Sequence, residues 1–423
     1  MSNAVSFLKY GDVAEFRNGL NFSKDSHGKG CKFIGVADFK DNFTPQWELL
    51  GEINPSGVAR KEDYLESEDI IFVRSNGNKA LVGRSLFIDS NEKSLYSGFC
   101  IRARLKTDDF LPLFLAYYTQ TEFFKSAITS VAGTNINNLN QDILSNVMIP
   151  HYSIEVQKSI VDVLSSIDAK IALNNRINAE LEAMAKSLYD YWFVQFDFPD
   201  DNGKPYKTSG GKMMYNATLK RDIPVGWNLK PILECCDVID CLHSKKPESN
   251  YFSNEHYLLQ LENIEDNGLL DMSVKYFVSH EDYINWTSRI EVKQHDIVMT
   301  NAGRIAAFAQ IPEGIKCGIG RNITAIRPKN IKKNYFFSAL SGIDIQSQIA
   351  KNLDHGAFFK SFNVKGIKLL KIIKTDNGLE DKFESLITPV IEKRQQVQHE
   401  NQMLKELRDW LLPLLMNGQV TVK

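Results

Sequence analysis

The amino-acid sequence predicts an α+β fold built twice: two globular domains related by an approximate two-fold axis and separated by two long antiparallel coiled-coil helices. Three observations predict it. The chain overlays on itself at a shift of 223 residues, which sets Gly133 on Gly356, Asn140 on Asn363, Arg104 on Arg327, Asn178 on Asn401, Leu181 on Leu404 and Leu188 on Leu411. A nearby shift of 227 sets Asp69 on Asp296, the difference being a small change in loop length. Each copy opens with short β-branched and aromatic stretches punctuated by Gly, Asn and Pro, and each closes with a long helical pattern.

In the first copy, "CKFIGVADF", "DIIFVRS" and "FCIRARLK" read as strands of a mixed domain over residues 1–150, with "LPLFLAYYTQTEFFKSAI" as an interposed helix. Residues 151–198 form the first spacer helix. Ile160, Leu164, Ile167, Ile171, Asn174, Asn178, Leu181, Ala185, Leu188 and Trp192 keep a 4-3 spacing, the seam of a coiled coil. A polar connector, "DDNGKPYKTSGG", opens the second domain (199–375, connector 199–228), whose strands are "HYLLQLENI", "DIVMTNA" and "NITAIRP". The second spacer helix covers 376–423, with Phe383, Ile387, Val390, Arg394, Val397, Asn401, Leu404, Arg408, Leu411 and Leu415 as its seam. Pro389 and Pro413 interrupt this second pattern and predict a kink or restart. Asn178 and Asn401 on the seam weaken packing but penalise misaligned registers, so they are expected to fix alignment.

Composition bounds the function. At 423 residues and 43% hydrophobic content, with no apolar run of membrane-spanning length and no signal-like N-terminus, the expectation is a cytoplasmic protein of two or more domains. Six irregularly spaced cysteines point to free buried thiols. The net charge of −2 hides a gradient, because Lys316–Lys374 holds 12 basic residues against two acids, Asp344 and Asp354. A one-signed stretch of this kind suits a polyanion as well as a solvated face.

Catalytic signatures are missing. The cluster Cys235, Cys236, Cys241 and His243 matches no common zinc spacing, and its repeat partners Asp12, Val13, Asn18 and Leu20 cannot form a site, so no metal is expected. There is no P-loop. "CGIGRNI" reads as a turn into a strand because Ile323 stands where a dinucleotide loop needs a small residue. Adjacent prolines of the kind used by amino-methyltransferases are absent. Glu291-x-Lys293 is the half of a Mg²⁺-dependent nuclease motif that keeps a stand-alone nuclease as the alternative reading.

What remains is a double reader of nucleic acid. Asn76 and the Asn-rich turn with Asn135, Asn137 and Asn138 offer amides suited to adenine. Arg74, Arg84, Arg102 and Arg104 offer guanidinium groups suited to guanine or phosphate. The second copy offers Asn301, Arg304, Arg321, Asn322, Lys360 and Asn363 in comparable places. Asn is also at home in tight turns, so only the set points to base reading.

The strings "LSSIDAKIALNNRINAELEAMAKSLYDYWFVQFDFPDDNGKPYKTSGGKM" (Leu164–Met213) and "LRDWLLPLLMNGQV" (Leu407–Val420), with the two-fold plan of domain then helix, resemble the DNA specificity (S) subunit of type I restriction-modification enzymes. The family's Pro-Pro and Glu-Gln marks at the helix starts survive here only as Pro150 and "IEVQKSI". The resemblance implies that each globular domain is a target-recognition domain reading one half of a split, asymmetric DNA sequence. It implies that the helices set the unspecified spacer and dock two methyltransferase subunits, with Ile171, Asn178, Leu181, Leu188, Trp192, Asn401, Leu404 and Leu411 on the seam and the aromatic helix ends as docking surface. S-adenosylmethionine would belong to those partners and nucleolytic work to the restriction and motor subunits. No cofactor is expected on this chain.

Overall fold

The computed structural model describes residues 6–40, 42–132, 138–242, 244–250, 254–355, 360–375 and 377–422. The chain forms two compact units. Unit 1 takes Met1–Lys170 with Leu404–Lys423, and unit 2 takes Ile171–Met403. Each unit thus owns a stretch of both long helices, which run Ile154–Tyr189 and Asn377–Met416.

In unit 1 a four-stranded antiparallel sheet has the order Ala14–Asn18, Cys100–Leu105, Ile70–Val73, Ser85–Phe87. Beside it a three-stranded sheet sets His27–Ile34 antiparallel to Glu52–Ile53 and parallel to Ser94–Tyr96. Ser6–Lys9 pairs with Met148–His151, tying the start of the domain to the residues that lead into the first long helix. Unit 2 repeats every step. Its four-stranded order is Cys236–Asp240, Ile323–Pro328, Ile297–Thr300, Phe308–Gln310. Tyr257–Leu259 lies antiparallel to Tyr276–Phe277 and parallel to Gly318–Ile319, and Asn228–Pro231 pairs with Lys371–Lys374. The repeat in the sequence is therefore a repeat of topology. The expected strands appear, while "CKFIGVADF" and "HYLLQLENI" finish as single 3₁₀ turns, at Val36–Asp38 and Leu261–Asn263.

One expected helix is two. Pro112–Thr119 and Glu122–Ala132 break at Thr121, whose hydroxyl donates to the Tyr118 carbonyl and accepts from the Phe124 amide, capping the second segment. Conversely, the helix does not restart at Pro389 or Pro413: Asn377–Met416 is one helix. A proline frees the carbonyl four residues back, here on Ser385 and Asp409, and both residues are exposed to solvent.

The seam residues are buried or half-buried as their spacing requires. In unit 1, Ile160 and Leu164 join Phe114, Leu115, Tyr152, Leu412 and Leu415 in one core. The two helix stretches run antiparallel there. The Tyr152 hydroxyl donates to the Met416 carbonyl at 3.2 Å, and Arg408 meets Asp168 at 3.1 Å, the same carboxylate that accepts from Tyr117 at 2.6 Å. In unit 2 the pairs Asn175–Asn401 (2.8 Å), Asn174–Glu400 (2.9 Å) and Glu182–Arg394 (3.0 Å) also run antiparallel. Asn401 is paired through its Nδ2 alone; the Oδ1 atoms of Asn174, Asn178 and Asn401 are all buried without a partner, which is the cost of polar seam positions.

The aromatic helix end is not a docking surface. Tyr189, Trp192 and Phe193 lie in the core of unit 2, where the Phe193 ring stands 4.8 Å from Tyr335 and 5.0 Å from Phe383. The apolar surface it meets belongs to its own unit. The polar connector after it is folded as well: Phe198 stacks on Tyr206 and Trp227, and Asp197 accepts from both the amide and the hydroxyl of Thr208.

Candidate nucleic-acid interface

Each unit holds a bidentate Arg–Asp pair centred on a buried aspartate. In unit 1 Arg104 donates through Nε and Nη2 to the two oxygens of Asp69, each at 2.7 Å, and Nη2 also reaches the Tyr64 carbonyl at 3.1 Å. Asp69 further accepts from the Glu66 amide at 2.8 Å. In unit 2 Arg327 makes the same fork on Asp296 at 2.8 and 2.5 Å and reaches the Glu291 carbonyl at 3.0 Å, while Asp296 accepts from the Lys293 amide at 2.9 Å. The hydrogen-bonded carboxylates hold both guanidinium groups above the usual arginine pKa. Such bidentate pairs are geometrically specific.

This corrects part of the expected DNA-reading set. Arg104 is committed to Asp69 and Glu66. Arg102 is 2% exposed and donates to the carbonyls of Glu62 and Tyr64, so it reaches no ligand outside the fold. The cause is alternation: Cys100, Arg102 and Arg104 share one strand face, and the segment around Glu62–Glu66 covers it. Arg84 donates to the Lys40 carbonyl. The basic stretch is partly neutralised too, through Lys329–Asp237, Lys332–Asp381 and Lys374–Glu380. Lys351, Lys365 and Lys368 remain exposed.

The remaining candidates gather at a backbone junction that both units possess. In unit 1 the Arg74 amide donates to the Phe99 carbonyl at 2.7 Å, and the Leu139 amide donates to the Arg74 carbonyl at 2.8 Å. In unit 2 the Asn301 amide donates to Asn322 at 2.8 Å and the Phe362 amide to Asn301 at 2.9 Å. Three loops thus meet at the same three backbone positions, carrying different side chains. Asn76 accepts from the Asn78 amide, and Asn138 is exposed beside Leu139. Asn135 and Asn137 lie outside the described residues. In unit 2, Asn301 donates to Thr324 at 2.7 Å and keeps a buried Oδ1 without a partner. Arg321 is exposed and donates to the Ser244 carbonyl at 2.6 Å; Asn322 is exposed with φ of 63°. Arg304 pairs with Asp266 at 3.3 Å and with the carbonyls of Leu261 and Ile264. Asn363 caps the helix Val364–Lys368 by accepting from Gly366, as Asn140 caps Gln141–Asn146 by accepting from Ile143. It is a structural asparagine. Lys360 lies in the short strand Lys360–Ser361.

The chemistry of the alternative reading does not assemble. Glu291 accepts from the Tyr283 hydroxyl at 2.7 Å, and neither it nor Lys293 lines the cleft of about 600 Å³ that unit 2 carries between Tyr189, Phe308, Phe337, Ile391 and Arg394. Cys235, Cys236 and Cys241 are buried thiols raised by burial, Cys241 to about 11; His243 lies outside the described residues. Among the described residues no three His, Cys, Asp or Glu side chains group as metal ligands, and no helix is long and apolar enough to cross a membrane.

The comparisons agree with this architecture. The family model described as type I restriction modification DNA specificity domain matches residues 4–183. The MjaIX type I restriction enzyme specificity subunit of Methanocaldococcus jannaschii is 25% identical over 98% of this chain and 93% of its own length. The HindI specificity subunit of Haemophilus influenzae is 21% identical over 92% and 94%. The crystal structure of a type I restriction-modification S subunit from M. genitalium shares the fold, with a TM-score of 0.55 at 14% identity, covering 98% of this chain and 97% of that one. The family model ends within the first copy, and the internal repeat carries the same plan into the second. Over residues 4–183 the chain matches the type I restriction modification DNA specificity domain, and over nearly its whole length it is similar to type I restriction enzyme specificity subunits.

Proposed function

We propose that this chain reads a two-part, asymmetric DNA sequence, one half with each globular domain, and docks two adenine-methyltransferase subunits on its long helices while making and breaking no bond itself. Restriction and motor subunits would join through that complex. The observation that carries the proposal is one scaffold built twice, with the same strand order and the same Arg–Asp fork, whose loop junctions display different side chains. A fixed frame with exchanged loop residues is how one fold reads unlike sequences. Helix docking is supported by apolar side chains that the chain leaves in water: Leu407 and Trp410 in unit 1, and Leu173, Met184, Leu386 and Met403 in unit 2.

Affinity would come chiefly from phosphate contacts and fall steeply with salt, with sequence choice left to a few base-edge contacts. The test is to map methylated adenines in the producing strain with and without this chain. A bipartite methylated motif that disappears with the chain is expected. Unchanged methylation, or DNA cleavage by the purified chain with Mg²⁺ that is lost in Glu291→Ala, would favour the nuclease instead.

A further inference from the structure

We infer that the three-loop junction of each unit is the edge that reads bases, and that in unit 1 its reader includes two residues no motif singles out, Phe99 and Asn21; this rests on the proposed role in DNA reading. Phe99 is 57% exposed although its neighbour Cys100 is fully buried. It is held, not loose: its carbonyl accepts the Arg74 amide at 2.7 Å, and its amide donates to the Ser97 hydroxyl at 3.2 Å. Gly98 before it donates to the Leu20 carbonyl at 2.8 Å, and a Cβ at that position would stand 2.3 Å from the Asn21 Oδ1. Only glycine lets the Asn21 amide lie over the turn. Arg74 emerges from the same junction, and among the described residues no carboxylate pairs with its guanidinium, in contrast to Arg17 and Arg104.

Loops joined through their backbones carry a guanidinium, the exposed amides of Asn21 and Asn138, and an aromatic ring kept in water. These are the groups that match guanine, adenine and the thymine methyl in the major groove. In unit 2 the equivalent backbone positions carry Asn301 for Arg74 and Asn322 for Phe99. One junction with two sets of side chains is what two unlike half-sites require. Phosphate-only contact would not need an ordered, exposed phenylalanine.

The experiment replaces the chain in its own strain, one variant at a time, with Phe99→Ala, Arg74→Ala and Asn322→Gly, and maps adenine methylation. Glycine tolerates the φ of 63° at 322, so the backbone survives loss of the amide. Phe99→Ala and Arg74→Ala should relax discrimination roughly 10- to 100-fold at one or two positions of one half-site, and Asn322→Gly should do so in the other, with the gap between them unchanged. An unaltered motif, or a change spread over both halves, overturns the assignment. Where a variant abolishes methylation, binding of the purified complex to the native site and to single-base-substituted duplexes decides. Lost discrimination supports the reading edge; uniform weakening on all duplexes, or a fall in melting temperature, refutes it. Failure of the broader proposal looks different, since the unaltered chain would then direct no methylation at all.

Discussion

Substituting Asp69 by alanine removes the centre of the unit 1 fork. Asp69 is 1% exposed and accepts three hydrogen bonds, two from Arg104 at 2.7 Å and one from the Glu66 amide at 2.8 Å. Breaking a buried pair by removing one partner costs about 3–5 kcal/mol. The low end applies here, because the Arg104 side chain is 25% exposed and keeps Glu66 and the Tyr64 carbonyl. A loss of about 3 kcal/mol, at about 2–4 °C per kcal/mol for a domain of this size, lowers the melting temperature of unit 1 by roughly 6–12 °C. Asp296→Ala should do the same to unit 2, since its partners are of the same kind, at 2.8, 2.5 and 2.9 Å. Hydrogen exchange on the full chain separates the two. Asp69→Ala should deprotect Ile70–Val73 and Cys100–Leu105 and leave Ile297–Thr300 and Ile323–Pro328 as they were, with Asp296→Ala giving the mirror result. Losses under 1 kcal/mol, or deprotection of both units by either lesion, would refute the claim that the fork is a structural element of each copy.

Asn178→Leu should stabilise unit 2 by about 1–2 kcal/mol in denaturant unfolding, because it replaces a buried oxygen that has no partner, and no gain would mean that the seam hydrates this position. The six cysteines are free and buried, with Cys241 pushed up to about 11 and Cys100 to about 12, so the native chain should leave a thiol reagent unreacted at pH 8 and release all six only on unfolding. Burial pushes the Asp63 carboxyl up, but the Arg60 amide and the Arg17 guanidinium outweigh it and hold it below the ordinary aspartate range. A depressed folded-state pKa gives stability that is full above the unfolded value of about 3.9 and is lost as pH falls through the folded value. Asp63→Asn should therefore lower unit 1 stability at pH 7 and narrow the gap to the parent in acid; a constant gap down to pH 2 would contradict the assignment.

Periodicity makes the duplicated plan legible in the sequence, because strands and a 4-3 seam depend on which side chains must leave water. The ten seam positions from Ile160 to Trp192 are half-buried or buried as their spacing asks. Arginine on a strand gives no sign of which layer will cover it, so Arg102 and Arg104 read from sequence as free to meet a ligand. Their correction was nonetheless written in the repeat: Arg104 matches Arg327 while Asp69 matches Asp296, and a base and an acid that recur together mark a pair. The 223 shift also sets Phe99 on Asn322, so an exposed reader at Phe99 could have been reached from its partner. Nothing local marks Asn21, whose place depends on the distant Gly98. The aromatic helix end reads as a docking surface because the aromatics that receive Trp192 and Phe193, Tyr335 and Phe383, lie far along the chain.

The account stands or falls on each copy reading its own half of the target. Replacing residues 228–374 by residues 6–151 gives a chain with two identical readers, and mapping methylated adenines in a strain carrying it is the most direct trial. Two inverted copies of one half-site are predicted in place of the asymmetric motif. A methylated sequence that stays asymmetric would contradict the account.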